Sequence, residues 1–298
     1  MIWNIVVPAW GDRCVRCFIE FGLPAIRAAL KLAMHPAALH VYTDQPERLA
    51  TALAGLAYAF FPVPPRQGPH RMLGLVHGHA LRNARRGDML AFLNADHVPS
   101  VETFAACEAR FAAGKRLIMC AGLRTTSDIG PPIGESSRAL LAWNWRNAHI
   151  HTRECVWGAG RSDQPAILLF VNGEDVVLHA FHLHPVAVQM DGRDMAFRGH
   201  TIDDDLAMFF TRAEIHVVTD ADEMALAEIS PNDAARWRLY ATPLMLRHVA
   251  KWAHQRFKNG RPYVNARHLW FFQHAIRIVG HGDANERERV AEILSAVV

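Results

Sequence analysis

The sequence predicts an α/β fold in which a mixed, mostly parallel sheet is flanked by helices and followed by a helical C-terminal extension. Three observations support this prediction. Strand and helix signals alternate from residue 2 to residue 120 of the 298-residue chain. Hydrophobic residues make up 51% of the chain, enough for a sizeable core. From residue 232 onward the apolar spacing is helical, with breaks at Gly260 and Gly280.

The predicted strands are short apolar runs that end at turn-forming residues. They cover Ile2–Pro8, Leu39–Thr43, Tyr58–Val63, Met89–Leu93, Arg116–Cys120, Ala166–Val171, Val176–Val188 and Glu214–Thr219. The predicted helices have apolar residues three to four positions apart. They cover Cys14–Met34 with a kink at Pro24, Pro46–Leu56, Leu73–Arg85, Val101–Ala113, Ser137–Ala148 and Asp203–Thr211. The Gly-, Pro- and Trp-rich stretch Gly122–Gly160 has no further assignment.

Polar residues follow three of the early strands. In open α/β sheets ligands bind at the carboxyl ends of the strands, so we expect Pro8–Asp12, Thr43-Asp44 and Asn94–Asp96 to lie near one another. Asn94 and Asp96 place an amide and a carboxylate together, which is typical of a Mg²⁺ or Mn²⁺ site shared with substrate phosphates. The alternative is a polar turn, because Asn and Asp favour turns for local reasons.

Charge and cysteine content limit the function classes. The chain has 32 basic and 29 acidic residues, so we expect no nucleic-acid partner. Residues 234–280 contain nine Lys or Arg and no Asp or Glu, interleaved with Trp and Phe. Five cysteines, an odd number, and the absence of a basic-plus-apolar leader favour a reducing cytoplasm. Cys14 and Cys17 are interpreted as ordinary thiols at helical spacing. No apolar run is long enough to cross a bilayer, so we expect a cytoplasmic protein, at most peripheral at the inner membrane face.

Two further clusters have the residue types of a catalytic site. On one extended strand, His182 and His184 would lie on the same face and could bind one metal ion. The alternative is that they are histidines held by hydrogen bonds within the fold. Asp203, Asp204 and Asp205 lie at the start of the predicted helix Asp203–Thr211. Acids suit a helix start, but the mutual repulsion of three carboxylates raises at least one pKa and also favours a proton acceptor.

Taken in order, these clusters resemble a glycosyltransferase of the GT-A type, in its family-2-like branch. VVPAWGD resembles the nucleotide-contacting loop of that family, which implies donor contacts for Pro8, Ala9 and Trp10. Asp44 matches the acid that contacts the base or ribose. Asn94-Ala95-Asp96 matches the D-x-D motif, with Asn in place of the first acid.

The later part of the resemblance concerns the base and the metal. Ile202-Asp203-Asp204-Asp205-Leu206 resembles the acidic pair that supplies the catalytic base, which implies this role for Asp203, with Asp204 or Asp205 as alternatives. A late histidine completes the metal shell in several such enzymes, so His182 or His184 is implied as a ligand with Asp96. The resemblance covers residues 2–231.

The resemblance implies an inverting, metal-dependent transferase that uses Mn²⁺ or Mg²⁺, a nucleotide-sugar donor and a glycan or lipid-linked acceptor. It divides the chain into a catalytic domain, 1–231, and a basic, aromatic helical subdomain, 232–298. The basic and aromatic block fits either contact with a membrane surface or an ordinary core with solvated charges.

Three other functions compete with the transferase. A sugar nucleotidyltransferase usually has a Gly-rich loop after the first strand, and Pro8–Arg13 is poor in Gly. A non-catalytic nucleotide- or carbohydrate-binding protein is favoured by Asn94 and Ile202. A histidine-ligated metal hydrolase would use His179, His182 or His184 without Asp96.

Overall fold

The structure is a computed structural model that describes residues 1–63, 69–126, 130–195, 202, 206–230, 239, 241–254, 264–280 and 285–297. Its strands are β1 Trp3–Pro8, β2 Ala37–Thr43, β3 Ala57–Pro62, β4 Met89–Phe92, β5 His97–Pro99, β6 Leu117–Cys120, β7 Gly122–Thr126, β8 Ile167–Asn172, β9 Asp175–Ala180, β10 His184–Gln189, β11 Ile215–Val217, β12 Leu226–Ser230 and β13 Ile276–Val279. Its α-helices are α1 Gly11–Cys17, α2 Leu23–Leu30, α3 Pro46–Ala52, α4 Pro69–Asn83, α5 Thr103–Ala112, α6 Ser137–Arg146, α7 Ile150–Arg153, α8 Leu246–Ala253, α9 Ala266–Phe272 and α10 Glu286–Val297.

The main sheet has seven strands in the order β11-β6-β10-β4-β1-β2-β3. Strand β10 pairs antiparallel with both β4 and β6, and the other neighbouring strands pair in parallel. The prediction of a mixed, mostly parallel sheet flanked by helices is therefore confirmed.

Alternate residues of each central strand pack on opposite sides of the sheet. In β1, Trp3, Ile5 and Val7 belong to a core cluster with α1, α2, α3 and α5. Val6 belongs to a second cluster on the other face, which includes residues of α4 and α6. Both faces are covered, which explains why β4 is apolar throughout and β1 is apolar except at Asn4.

A small sheet, β5-β12-β7, lies beyond the carboxyl ends of β4 and β6, because β5 and β7 directly continue those strands. It was not predicted: residues 97–99 and 226–230 are not among the predicted strands, and 122–126 had no assignment. This sheet brings β12 against the residues that follow β4.

The C-terminal extension is helical, as predicted, but it also contributes β13 to a third sheet, β13-β9-β8. Buried residues of β8, the β9–β10 turn and helices α8 to α10 form one core cluster, including Phe181, Trp252 and Phe272. The predicted domain boundary at residue 231 lies outside the described residues and stays a prediction. Among the helices that the structure describes, none is both long and apolar enough to cross a membrane.

Three predicted elements are corrected. The single strand Val176–Val188 is two strands, β9 and β10, separated by a turn at Phe181–Leu183. The helix Cys14–Met34 is a continuous helical segment from Gly11 to Leu30, made of α1, a π-helical turn over Phe18–Gly22 and α2, and the π-helical turn lies directly before Pro24. Of the predicted helix Asp203–Thr211, the described part is a 3₁₀ turn, Leu206–Phe209.

Candidate active site

The loops after β1 and β2 meet at one corner of the main sheet. The Ala9 N–H donates to the Tyr42 carbonyl at 2.9 Å, and the Gly11 N–H donates to Asp44 Oδ1 at 3.0 Å. Gly11 has φ +72°, a conformation that residues with a side chain rarely adopt. Glycine at this position therefore lets the chain turn sharply into α1. Pro8, Ala9, Trp10 and Asp44 are therefore neighbours, as the strand order predicted. A cavity of about 360 Å³ opens beside them, lined by residues 44–48.

Asn94 forms a tight turn with His97 after β4. The Asn94 N–H donates to His97 Nδ1 at 3.2 Å, and the Asn94 side-chain amide lies 3.3 Å from Nε2. Burial lowers the pKa of His97 well below its ordinary value, with further contributions from His184 and His77, so the ring is neutral. A neutral imidazole accepts through only one ring nitrogen, so the backbone N–H and the side-chain NH₂ of Asn94 are alternative donors to His97. This contact between Asn94 and His97 was not predicted from the sequence.

Asp96 is partly buried and has a second carboxylate as its neighbour. The Ile229 N–H donates to the Asp96 carbonyl at 2.8 Å, which places β12 and its Glu228 alongside. Burial, and then repulsion from Glu228, raise the pKa of Asp96 from an ordinary 3.8 to about 7. Arg124 and Arg13 act in the opposite direction. Asp96 therefore changes its charge near neutral pH.

Arg124 pairs with Glu228 across the small sheet. Arg124 Nε lies 2.8 Å from Glu228 Oε1, and the two residues are register partners in the parallel pair β7–β12. Neither was predicted as a site residue. The signal available in the sequence was a single charged residue inside each of two short apolar strands, GLRTT and LAEIS, and it does not say which strands pair.

The start of α1 faces Asp96. Burial, and then the Asp96 charge, raise the pKa of Cys14, and the same two causes raise the pKa of Cys17 to about 12. Both cysteines are free thiols, and at these pKa values they are protonated and unreactive. Asp96 thus lies at the same corner as the β1 loop, so residues from β1, β4, β7 and β12 converge there.

The two histidines predicted as metal ligands, His182 and His184, contact different parts of the molecule. His184 Nε2 donates to the Phe92 carbonyl at 2.7 Å, and its ring meets the His97 ring edge-on at 4.7 Å between centroids. His182 lies in the turn before β10, with its ring 4.3 Å from that of His268. The premise that both share one strand face is wrong, because the chain turns between them. Their role as ligands stays a prediction.

His179, a candidate in the hydrolase alternative, is held on both ring nitrogens. Nδ1 lies 2.8 Å from the Phe272 carbonyl and Nε2 lies 2.6 Å from Glu286 Oε1. The residue is 1% exposed. These bonds join β9 to α9 and α10, so His179 links the C-terminal extension to the sheet.

Among the described residues, no three His, Cys, Asp or Glu side chains are placed to hold a metal ion together. Asp96 fits a Mg²⁺ or Mn²⁺ held by one protein carboxylate and by substrate oxygens, a mode common for Mg²⁺. The carboxylate pair Asp96–Glu228 also favours a nearby cation. The predicted catalytic residues Asp203 and Asp204, with Asp205, lie outside the described residues.

No protein-family profile matches the sequence, and no curated protein matches it. Solved structures show weak likenesses. S. aureus TarS 1–349 in complex with UDP-GlcNAc is 16% identical with TM-score 0.33, over 44% of this chain and 37% of that one. S. aureus TarS 1–349 is 12% identical with TM-score 0.37, over 99% and 71% of the two chains. The 4-diphosphocytidyl-2C-methyl-D-erythritol synthase of Anaerococcus prevotii is 10% identical with TM-score 0.31, over 41% and 55%. The chain thus spans little more than a third of the first of these structures.

Proposed function

We propose that this chain is a glycosyltransferase that moves a sugar from a nucleotide-sugar donor to a hydroxyl group of a glycan or lipid-linked acceptor. The observation that carries the proposal is the convergence of the β1 loop, Asp44 and Asp96 at the carboxyl edge of a mixed parallel sheet. Ligands bind at this edge in open α/β sheets. The order of motifs that resembles the GT-A type adds independent support from the sequence.

The electrostatics of the corner suit a diphosphate. Arg124 and Arg13 lie close enough to Asp96 to lower its pKa, so they supply positive charge where the donor phosphates would lie. A divalent cation bound by Asp96 would offset the charge that builds on the leaving diphosphate. It would also favour the ionised form of Asp96.

The remaining roles follow from the acids of the Asp203–Asp205 cluster. Asp203, or Asp204, would accept the proton of the acceptor hydroxyl as that oxygen attacks the anomeric carbon. The bond between the anomeric carbon and the diphosphate breaks in the same step, so the configuration at that carbon inverts. Asp44 would contact the base or ribose through the carboxylate oxygen that the Gly11 N–H leaves available.

The test combines donor binding with turnover. UDP-, GDP- and CMP-sugars are screened by thermal shift with and without Mn²⁺, because a ligand of the native state raises its apparent stability. We expect one donor class to stabilise the protein and to release nucleotide slowly. Asp96→Ala should abolish the Mn²⁺-dependent shift, whereas Asp203→Asn should keep it and lose transfer. Asp222→Ala, at an exposed carboxylate, is the matched control. Full transfer by both site variants would contradict the proposal.

A non-catalytic nucleotide-binding function is the second candidate. It is favoured by Asn94, which has an amide in place of the first acid and so leaves Asp96 as the acid of the D-x-D-like motif. Incubation with the stabilising donor separates the two functions: a transferase releases free nucleotide over time, and a binding protein leaves the donor intact.

A further inference from the structure

A cavity of about 220 Å³ opens at the amino end of β4, on the opposite edge of the main sheet from Asp96. Its wall combines residues at the end of α4 with residues that follow β10. Because β10 runs antiparallel to β4, the end of β10 lies beside the start of β4. Pockets for drug-sized ligands measure roughly 300–1,000 Å³, so this cavity suits a smaller molecule. The proposed transferase chemistry does not use it.

Backbone contacts hold the two parts of the wall together. The Gly87 N–H donates to the Met190 carbonyl at 2.7 Å, and the Met190 N–H donates to the Asp88 carbonyl at 2.9 Å. A Cβ on Gly192 would lie 3.6 Å from Arg86 Cδ, so the aliphatic part of Arg86 lies against Gly192. The cavity is therefore formed by segments that are hydrogen-bonded and packed against each other.

The floor of the cavity is apolar. Leu81, Met190 and Met195 line it and are almost fully buried. Methionine is unbranched and polarisable, so it adapts to ligand side chains of different shape. Such a floor favours a ligand with an aliphatic group, because binding removes apolar surface from water.

One charged residue of the wall, Arg193, is already neutralised. Its Nε lies 3.0 and 2.9 Å from the two carboxylate oxygens of Asp191, and a second carboxylate, Glu214, pairs with its Nη2. Its Nη1 donates to the Phe209 carbonyl at 2.6 Å, and its guanidinium carbon lies 4.4 Å from the centroid of the Phe210 ring. These contacts assign Arg193 to the structure of the wall and not to a ligand.

Three other charged side chains line the cavity and are exposed: Arg82, Arg86 and Asp194. Within the described part of the chain, none of the three forms an ion pair or a side-chain hydrogen bond. Two guanidinium groups and a carboxylate therefore share one small cavity without neutralising one another. Guanidinium groups match a carboxylate through their planar N–H fork, and a carboxylate accepts strong hydrogen bonds from an ammonium group.

We propose that this cavity binds a free α-amino acid with an apolar side chain of about the size of leucine. The ligand carboxylate accepts hydrogen bonds from Arg82 and Arg86, and the ligand ammonium donates to Asp194. The side chain packs on the apolar floor. A simple carboxylic acid would place its charge beside Asp194 without a partner for that residue, and a simple amine would leave both arginines unused. The zwitterion is the class of ligand that uses all three charges.

The first experiment measures ligand binding to the full-length protein by calorimetry, with L-leucine as the probe. Three analogues each lack one group: 4-methylpentanoate has no ammonium, 3-methylbutylamine has no carboxylate, and L-alanine lacks most of the apolar side chain. We expect each analogue to bind roughly ten-fold or more weakly than L-leucine. No measurable binding of L-leucine, or equal affinity for 4-methylpentanoate, would overturn the proposal.

The second experiment repeats the titrations with Arg86→Gln and Asp194→Asn. Arg86→Gln should weaken L-leucine and 4-methylpentanoate alike, by roughly ten-fold or more. Asp194→Asn should weaken L-leucine without weakening 4-methylpentanoate, which has no ammonium group. Arg85→Gln is the matched control, because Arg85 is exposed beside Arg86 but does not line the cavity, and it should match wild type. Wild-type affinity for L-leucine in both Arg86→Gln and Asp194→Asn would refute the site.

The third experiment separates this cavity from the proposed donor site. L-leucine carries no phosphate, and Asp96 follows the other end of β4, so Asp96→Ala should bind L-leucine with wild-type affinity. The thermal shift caused by the stabilising nucleotide-sugar should be unchanged in Arg86→Gln. Loss of L-leucine binding in Asp96→Ala would contradict the assignment to this cavity. A failure of L-leucine to bind would leave the proposed transferase function untouched, because donor binding is measured separately.

Discussion

Two carboxylates that are both shielded from solvent, Asp96 after β4 and Glu108 in α5, have opposite environments. Glu108 is 3% exposed and accepts hydrogen bonds from Trp3 Nε1 at 2.9 Å, from the Met34 N–H at 2.8 Å and from the His35 N–H at 3.1 Å. Burial alone would raise the pKa of Glu108, but these bonds outweigh it and lower the pKa. Asp96 faces Glu228, and its pKa is raised to about 7. A buried carboxylate that accepts several hydrogen bonds, such as Glu108, stabilises the fold. A carboxylate beside a second carboxylate, such as Asp96, lowers the stability of the fold when it is ionised.

The largest effect on stability is expected at Glu108. Glu108→Leu would leave the buried Trp3 indole N–H without its acceptor, at a cost of about 1–3 kcal/mol, and would remove the acceptor of the part-buried N–H groups of Met34 and His35. We expect a loss of about 3–5 kcal/mol in the free energy of unfolding, measured by urea denaturation at neutral pH. Glu288→Leu, at an exposed position of α10, is the control and should change stability little.

The pH dependence of this effect has a defined sign. Because the folded-state pKa of Glu108 lies below its ordinary 4.5, its contribution is present above that value and is lost as the pH falls through the folded-state pKa. The difference between wild type and Glu108→Leu should therefore shrink in acid. If the difference in unfolding free energy between wild type and Glu108→Leu stays constant at acidic pH, the stabilising contacts of Glu108 do not depend on its negative charge.

Asp96→Asn should act in the opposite direction. The folded-state pKa of about 7 lies above the ordinary 3.8, so the contribution of Asp96 to stability is fully present below pH 3.8 and is lost as the pH rises through about 7. The amide variant avoids this loss, and we expect it to be more stable than wild type by about 1–3 kcal/mol at about pH 8, with no gain in acid. Thermal or urea unfolding across this pH range tests it. A variant less stable than wild type at every pH would contradict the assigned environment.

The contrast also shows what could be predicted from the sequence. Strands β1, β2 and β4 are mostly apolar and are followed by turn-forming residues, so their positions, and the meeting of the β1 loop with Asp44, follow from local patterns. The Asp96–Glu228 pair depends on β12 pairing antiparallel with β5 and parallel with β7. No local pattern specifies that pairing, because its partners are far apart along the chain.

The prediction of a single strand over Val176–Val188 was wrong for a different reason. VVLHAFHLHPVAV alternates well enough to predict one strand, and alternation gives no sign of the turn at Phe181–Leu183. The turn follows from tertiary packing: Phe181 stacks on Phe272 of α9 at 4.0 Å between centroids, while β10 crosses to the main sheet between β4 and β6. Side chains two residues apart then face different cores.

Glu228→Gln and Arg124→Gln sharpen the comparison by moving the pKa of Asp96 in opposite directions. Glu228 raises this pKa and Arg124 lowers it, so the first variant should shift the midpoint of the pH-dependent loss of stability down and the second should shift it up. We expect shifts of about one pH unit or less, because both residues are partly exposed. Shifts in the same direction would mean that the two residues act by altering the fold and not by their charge.

The smallest effect on stability is expected at Asp44, the third carboxylate of this edge. It is exposed, and its described hydrogen bond is accepted from the Gly11 N–H. Asp44→Asn keeps an oxygen for that bond, so the free energy of unfolding should change by less than about 1 kcal/mol. If Asp44 contacts the ribose or base of the donor, its replacement should weaken binding of the stabilising nucleotide-sugar several-fold at unchanged stability, as measured by calorimetry. Glu47→Gln, on the first turn of α3 beside the same cavity, is the matched control. Equal donor affinity in Asp44→Asn and the control would assign Asp44 to the turn alone.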